Sequence, residues 1–222
     1  MINPADIDLV DFLTRWHGTP QSSARPLPAE TSWLPGPLQE WHGLASRWTR
    51  LHRGGNRMTD PSRIQVDQGK AVFMKDATGD WIWAFAAEDP DAVYEGIPGG
   101  QLDRVPESLT EFLTHVTVTE TLMSVDFARL GDQVPDGELP SILAPMREIG
   151  FGGWKWPDPG NRTFMSDSLL ATVGPAIDPA SPWLNRSGYS AVRIAGINAS
   201  ELGYLDADTT VKWIEREPDD DC

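Results

Sequence analysis

Apolar residues near the start of the chain recur at helical spacing, at positions i, i+3, i+4 and i+7. This spacing predicts a short amphipathic helix, which Asn3-Pro4 would begin and Gly18 would end. A second apolar stripe follows a polar, proline-containing linker and predicts a helix that starts near Pro37. The first stripe consists of Leu9, Phe12, Leu13 and Trp16, and the second of Leu38, Trp41, Leu44, Trp48 and Leu51.

The pattern changes from helical to strand-like spacing after Arg63. Residues 71–75 and 81–87 are short runs of strand-forming residues on either side of a polar loop, 76–80, and together they predict a β-hairpin. Both faces of the second run are apolar, which is typical of a central strand.

Further along, Asp89-Pro90-Asp91 predicts a turn that leads into a short extended piece at Val93-Tyr94. Ser108-Leu109-Thr110-Glu111 then matches a capping box and predicts the start of a third helix. The β-branched residues in 117–121 weaken that prediction, because such side chains have low helix propensity.

Beyond Asp136 the sequence predicts a second set of elements, which begins with a helix from Pro140 to Ile149. Four strands follow it, near residues 162–166, 169–174, 191–195 and 210–214.

Acidic residues are concentrated in one part of the chain. The formal net charge is −15, and the segment 76–138 alone carries 14 acidic and two basic residues. An excess of this size disfavours binding to nucleic acids or to anionic membranes, whose partners need a basic surface. The segment is therefore either a solvated face or an acidic patch for a basic partner. The candidate partner-binding carboxylates are Asp76, Asp80, Glu88, Asp89, Asp91 and Glu95.

Catalytic and cofactor-binding motifs are missing from the sequence. It has no phosphate-binding loop, dinucleotide turn, nucleophile elbow or zinc-binding His-Glu-x-x-His helix, and its one cysteine is Cys222. The four histidines are spread along the chain and are interpreted as residues of helix surfaces or ends. We therefore expect no enzyme activity, no cofactor and no metal. With no secretory signal or apolar segment of about 20 residues, a cytoplasmic location is the expectation.

The chain is rich in tryptophan, with ten residues. Half of them lie at positions predicted to face the core. Trp154 and Trp156, in a loop rich in glycine and proline, and Trp183 have no predicted core position, so they are candidates for a binding surface.

The order of these elements resembles the SUKH superfamily, the group that includes the yeast Smi/Knr cell-wall regulator. The features that carry the resemblance are Leu-Pro-x-x-Leu before a helix (Leu34 to Leu38), the hairpin that ends in Asp80-Trp81-Ile82-Trp83-Ala84, the Asp89-Pro90 turn, and Leu109-Thr110-Glu111-Phe112-Leu113. The resemblance implies a single α+β domain with a mixed sheet flanked by helices. Its core would cover about 28–125, with a C-terminal extension or second module at about 136–216 and an acidic tail at 217–222.

The resemblance also implies a function, because most bacterial members are thought to be cytoplasmic immunity proteins that neutralise polymorphic toxins, many of them nucleases. The charge pattern fits a basic toxin as the protein partner. The sequence leaves two alternatives open. One is a tryptophan-rich protein that binds or acts on carbohydrates, and the other is a regulatory scaffold without a toxin partner.

Overall fold

The computed structural model describes residues 1–48, 51, 55–155, 160–207 and 210–216. The chain forms two compact units, an N-terminal unit of Pro4–Ser124 and a C-terminal unit of Met1–Asn3 with Val125–Cys222. Both contain helices and sheets, which confirms the α+β class. The predicted mixed sheet is wrong for the described residues, because every pair of named strands is antiparallel. The predicted tail, 217–222, lies outside the described residues.

The helices of the N-terminal unit are α1 (Leu9–His17), α2 (Gly36–Ala45) and α3 (Leu109–Ser124), and its strands are β1 (Arg57–Met58), β2 (Val66–Asp67), β3 (Lys70–Lys75), β4 (Ile82–Ala86), β5 (Ala92–Gly96) and β6 (Asp103–Ser108). The strands form a six-stranded sheet in the order β1-β3-β4-β5-β6, with β2 paired to β3. All five residues of β4 are buried, which confirms the predicted central strand.

Helix α1 begins later than predicted. Pro4–Asp6 forms a separate 3₁₀ turn, and Asp8 caps α1 by accepting hydrogen bonds from the backbone N–H groups of Val10 and Asp11. A capping carboxylate satisfies two amide groups that a helix start leaves without partners, so the helix starts after Asp8 rather than at Asn3-Pro4. Helix α2 ends at Ala45, although the predicted stripe continues, and Trp48 and Leu51 are buried beyond its end.

Helix α3 begins with the predicted capping box. The Ser108 backbone N–H donates to Glu111 Oε2 at 2.9 Å, and the Glu111 N–H donates to Ser108 Oγ at 3.3 Å. The helix continues through its β-branched residues, and Thr117 donates its hydroxyl proton to the Leu113 carbonyl. Phe112 packs against Phe73 and Trp83 of the sheet, with ring centroids 5.5 and 6.2 Å apart. This packing outweighs the low helix propensity of the threonines.

The elements of the C-terminal unit are β7 (Ala128–Pro135), α4 (Leu139–Leu143), β8 (Arg147–Glu148), β9 (Arg162–Met165), β10 (Leu169–Asp178), β11 (Ser181–Gly196) and β12 (Ile214–Glu215). The strands form a second six-stranded sheet, in the order β12-β7-β11-β10-β9-β8. Its core includes Val134, Ile142, Phe164, Val192 and Ile194. The predicted helix from Pro140 to Ile149 is wrong beyond Leu143, because Pro145 interrupts the helix and residues 147–148 form a strand.

Candidate partner-binding site

The predicted acidic residues lie at both ends of the N-terminal sheet. Asp76 and Asp80 belong to the turn between β3 and β4, whereas Glu88, Asp89 and Asp91 belong to the turn between β4 and β5. These turns are separated by the length of β4, about 17 Å for five residues at roughly 3.3 Å each. The predicted carboxylates therefore do not form one continuous cluster.

Asp76 is a structural residue of its turn, which corrects its prediction as a partner-binding residue. It is 4% exposed, and its carboxylate accepts hydrogen bonds from the backbone N–H groups of Gly79 and Trp81 and from the Thr78 hydroxyl, at 2.7 to 3.0 Å. Burial alone would raise the pKa of Asp76, but the hydrogen bonds from Trp81, Thr78 and Gly79 outweigh burial and lower the pKa below its ordinary value. The carboxylate stabilises the hairpin and is not available to a partner.

Glu95 is also buried, so its prediction as a surface carboxylate is wrong. It lies opposite Trp83 in the pairing of β4 with β5 and is 2% exposed. Residues directly opposite each other share a sheet face, which places Glu95 on the face where Trp83 packs against Phe112. The Trp81 indole N–H donates to Glu95 Oε2 at 3.3 Å.

The other four predicted carboxylates are exposed. Asp89 lies 3.9 Å from the Arg104 guanidinium, and because both side chains are more than half exposed, this ion pair contributes little to stability. Asp91 accepts hydrogen bonds from the Leu109 N–H through its carbonyl and its side chain, and so supports the start of α3. Asp80 and Glu88 form no ion pair within the described residues.

Burial also changes how the acidic segment 76–138 is interpreted. The boundary after Ser124 divides the segment between the two units, and ten of its acidic residues fall in the N-terminal unit. Four of these ten are buried: Asp76, Glu95, Glu107 and Glu120. Much of the charge concentration is therefore internal.

His115 differs from the prediction that the histidines lie on helix surfaces or ends. It is 8% exposed, and its Nδ1 lies 2.8 Å from Oε1 of the buried Glu107. His17, at the end of α1, contacts the Thr121 hydroxyl through Nε2 at 3.0 Å. Both contacts involve buried side chains of α3, which indicates a structural role for these two histidines. His52 lies outside the described residues.

The tryptophans predicted to bind a partner differ in their surroundings. Trp154 is buried at 9% exposure, which removes it from the binding surface, and Trp156 lies outside the described residues. Trp183, in contrast, is 90% exposed. In the pairing of β10 with β11, Ile177 lies opposite Asn185 and Asp178 opposite Ser181, so residues 182–184 form a bulge that presents Trp183 to solvent.

A cavity of about 150 Å³ lies in the N-terminal unit, with Glu120 of α3 in its lining. Glu120 is 5% exposed. Its Oε1 accepts a hydrogen bond from the Asn56 backbone N–H at 3.1 Å, while its Oε2 has no hydrogen-bond partner. The other lining residues are Trp41, Leu51, Asn56, Arg57, Met58 and Val116.

Burial raises the pKa of Glu120 to about 7, and hydrogen bonds from Asn56 offset part of that effect. A carboxyl group with such a pKa exists in both its protonated and its ionised form near neutral pH. It can therefore attract a cation or exchange a proton. Among the described residues, no second carboxylate, histidine or nucleophile lines the cavity.

In the sequence, Glu120 is one acid among the fourteen of the segment 76–138, and its charge alone does not distinguish it. The available signal was its spacing: Glu120 follows Val116 by four positions and Leu113 by seven, which places a carboxylate on an apolar face of α3. A charged residue on a core-facing stripe is rare unless it is paired or functional.

Metal-ligand clusters and membrane-spanning helices are absent from the part of the chain that the structure describes. Within the residues searched, no group of three or more His, Cys, Asp or Glu side chains is placed to hold a metal ion. No helix in the described part of the chain has the length and apolar character needed to cross a membrane.

Comparisons with protein-family models, curated proteins and solved structures find no significant match. The resemblance to the SUKH superfamily therefore stays a prediction.

Proposed function

We propose that this chain is a non-catalytic protein-binding protein that captures a basic protein, as an immunity protein captures a toxin. In this proposal the partner is a basic, nuclease-type toxin domain, and the complex forms in the cytoplasm. Binding involves the N-terminal unit. The resemblance in element order and the acidic charge balance both support this function.

The observation that carries the proposal is the Glu120 carboxylate. Surface acids alone do not indicate a ligand, since they also serve solubility. A buried carboxylate is different, because removing a charge from water is costly unless a partner compensates for it. One oxygen of Glu120 lacks such a partner and lies at a cavity, so a cationic group from another molecule would complete its environment.

The exposed carboxylates contribute in a second way. Glu88 and Asp89 stand at the β4–β5 turn, and their field would speed the approach of a basic partner and be screened by salt. Asp80 contributes at the opposite end of the sheet. The two effects are separable, because exposed charges act mainly on the association rate, whereas a buried charge that gains a partner acts mainly on dissociation.

A protection assay tests the proposed function. Cells would express a panel of basic, nuclease-type toxin domains, one at a time and including any that is encoded beside the gene for this chain, with or without the chain, and surviving colonies would be counted. We expect survival to rise at least a hundredfold with the wild-type chain, together with a 1:1 complex in size-exclusion chromatography. If the chain gives neither protection nor a complex, the proposal is wrong.

Trp183 supports a second candidate function, the binding of carbohydrate. A tryptophan that is 90% exposed on a strand bulge offers a flat surface on which a sugar ring can stack. A thermal-shift screen of the wild-type chain and the Trp183→Ala variant with a panel of oligosaccharides separates the two functions. A binding protein for toxins shows no shift with any sugar, whereas a shift that disappears in Trp183→Ala would favour carbohydrate binding.

A further inference from the structure

We propose that the cavity at Glu120 binds a primary alkylammonium group, the group that ends a lysine side chain, and that a lysine of the partner occupies it. This inference rests on the proposed function for the source of the lysine. The existence of an ammonium site can be tested without any partner.

The carboxylate of Glu120 provides the charge for such a site. Asn56 occupies Oε1 through its backbone N–H, and Oε2 has no partner, so one strong acceptor remains for an incoming donor. An ammonium group carries three N–H donors that can rotate, so it can bind a single acceptor oxygen. A guanidinium binds carboxylates best through two parallel hydrogen bonds, and that arrangement needs both oxygens free. Glu120 therefore fits an ammonium better than a guanidinium.

The size of the cavity fits the same group. A cavity of about 150 Å³ matches one that holds benzene, a molecule of about six heavy atoms. The lysine side chain beyond its Cα has about five heavy atoms, four methylene carbons and one nitrogen. A lysine can thus fill the cavity without enlarging it, whereas the longer arginine side chain exceeds this size.

The walls of the cavity suit an alkyl stem. Leu51, Met58 and Val116 contribute apolar surface. Trp41 donates its indole N–H to the Thr117 hydroxyl at 2.9 Å, so it offers the cavity aromatic surface and not a hydrogen-bond donor. Lysine stems commonly bury their methylene groups against apolar surface while the charged end finds a polar partner.

Among the described lining residues, Arg57 alone opposes a cation. Its side chain is exposed, and it forms no ion pair with Glu120 within the described residues. Its charge nevertheless reduces the attraction for an ammonium group. Removing the charge of Arg57 should therefore strengthen binding of an ammonium group, whereas removing the charge of Glu120 should weaken it.

The test uses n-butylammonium chloride as the probe, with n-butanol as a neutral molecule of the same shape and sodium chloride as a match for ionic strength. Binding is followed at pH 8 by the NMR shift of the Asn56 backbone amide, which donates to Glu120. We expect a saturable shift with a dissociation constant in the millimolar range, and a response to n-butanol at least tenfold weaker. Equal responses to n-butylammonium and n-butanol, or no saturable shift, would overturn the ammonium site.

Two variants sharpen this result. Glu120→Gln keeps the size and the acceptor for Asn56 but loses the charge, and we expect it to bind n-butylammonium at least tenfold more weakly. Arg57→Gln should bind it about threefold more tightly. Unchanged affinity in Glu120→Gln, with its folding confirmed by circular dichroism, would contradict the proposal, as would weaker binding in Arg57→Gln.

A competition experiment identifies the source of the ammonium group. If a lysine of the toxin domain occupies the cavity, saturating n-butylammonium should weaken the complex at least fivefold relative to the same concentration of sodium chloride. A complex that forms but is insensitive to n-butylammonium would overturn the assignment to the partner's lysine and leave the proposed function intact. If no complex forms while n-butylammonium binds, the proposed function fails and the ammonium site stands.

Discussion

The Asn56 backbone N–H donates to one oxygen of the buried Glu120 carboxylate, at 3.1 Å, and leaves the other oxygen without a partner. Neutral hydrogen bonds from Asn56 offset only part of the cost of burying this charge. The same carboxylate therefore lowers the stability of the free protein when it is ionised and provides attraction for a cation.

This relationship predicts an unusual dependence of stability on pH. The pKa of Glu120 is raised from 4.5 to about 7, so between these values the folded protein holds a proton that the unfolded chain has lost. The contribution of Glu120 to the free energy of unfolding should therefore fall as the pH rises from about 4.5 to 7, by at most on the order of 3 kcal/mol.

The Glu120→Gln variant isolates this contribution in urea unfolding at several pH values. We expect the variant and the wild type to be equally stable near pH 4.5, and the variant to be more stable at pH 8. Taking the difference removes the contributions of all other ionisable groups, because both proteins share them, and the Arg57 guanidinium in the cavity lining stays protonated throughout this range. A constant difference across this pH range would contradict the assignment.

The second prediction compares two aspartates of one turn. Asp76→Ala should reduce the free energy of unfolding by about 2–4 kcal/mol, because it removes the side-chain acceptor of the Trp81 N–H and the Thr78 hydroxyl and leaves the Gly79 N–H only the Asp76 carbonyl. Asp80→Ala, an exposed neighbour, should change it by less than about 0.5 kcal/mol. Similar losses in the two variants, measured by urea unfolding at pH 7, would refute the distinction between a structural and an available carboxylate.

The third prediction concerns Arg129 in the C-terminal unit. Its guanidinium, 12% exposed, contacts Asp206 at 2.6 Å and Glu215 at 3.0 Å, and so connects three separate segments of that unit. Arg129→Gln should therefore lower the free energy of unfolding by about 2 kcal/mol. Arg104→Gln, which breaks an exposed pair, is the control and should cost less than about 0.5 kcal/mol. Both variants would be measured by thermal and by chemical unfolding. If Arg129→Gln and Arg104→Gln lose the same amount of stability, Arg129 does not have this role.

The sequence predicts most of the elements because their signals are local. The capping box at Ser108 and the apolar faces of β4 are visible in a few residues, and both are confirmed. The predicted start of α1 at Asn3-Pro4 is wrong because Asp8 and Asn3 are both good N-cap residues. Only the structure shows that Asp8 is the one that accepts hydrogen bonds from the first backbone N–H groups of the helix. The prediction that the helix continues to Ile149 is wrong because Pro145 interrupts the helix. The Ile149 N–H donates instead to the backbone carbonyl of Thr163, a residue of β9 that is distant in the sequence.

The candidate site was less accessible to sequence reasoning, because composition does not report burial. Asp76 and Asp80 are the same residue type in one turn, yet one is buried and the other is exposed. Glu120 contributed to the charge count as any other acid does, and its importance depends on the cavity formed with Trp41 and Met58, which come from distant parts of the chain. Only tertiary packing shows which carboxylates are available to a partner.

The central claim is that a basic protein is attracted by the exposed acids and held in part by Glu120. The most direct measurement is stopped-flow association and dissociation of the toxin domain at about 50 and 300 mM NaCl. The variants are Glu88→Lys/Asp89→Lys, Glu120→Gln, and Asp6→Lys/Glu30→Lys, a control with the same change in charge at other exposed positions of the N-terminal unit.

We predict that Glu88→Lys/Asp89→Lys slows association at least tenfold at low salt and that this difference shrinks at high salt. Glu120→Gln should speed dissociation at least tenfold with little change in association, while the control changes both rates less than threefold. If all three variants behave alike, or if neither rate depends on salt or on Glu120, the account is contradicted.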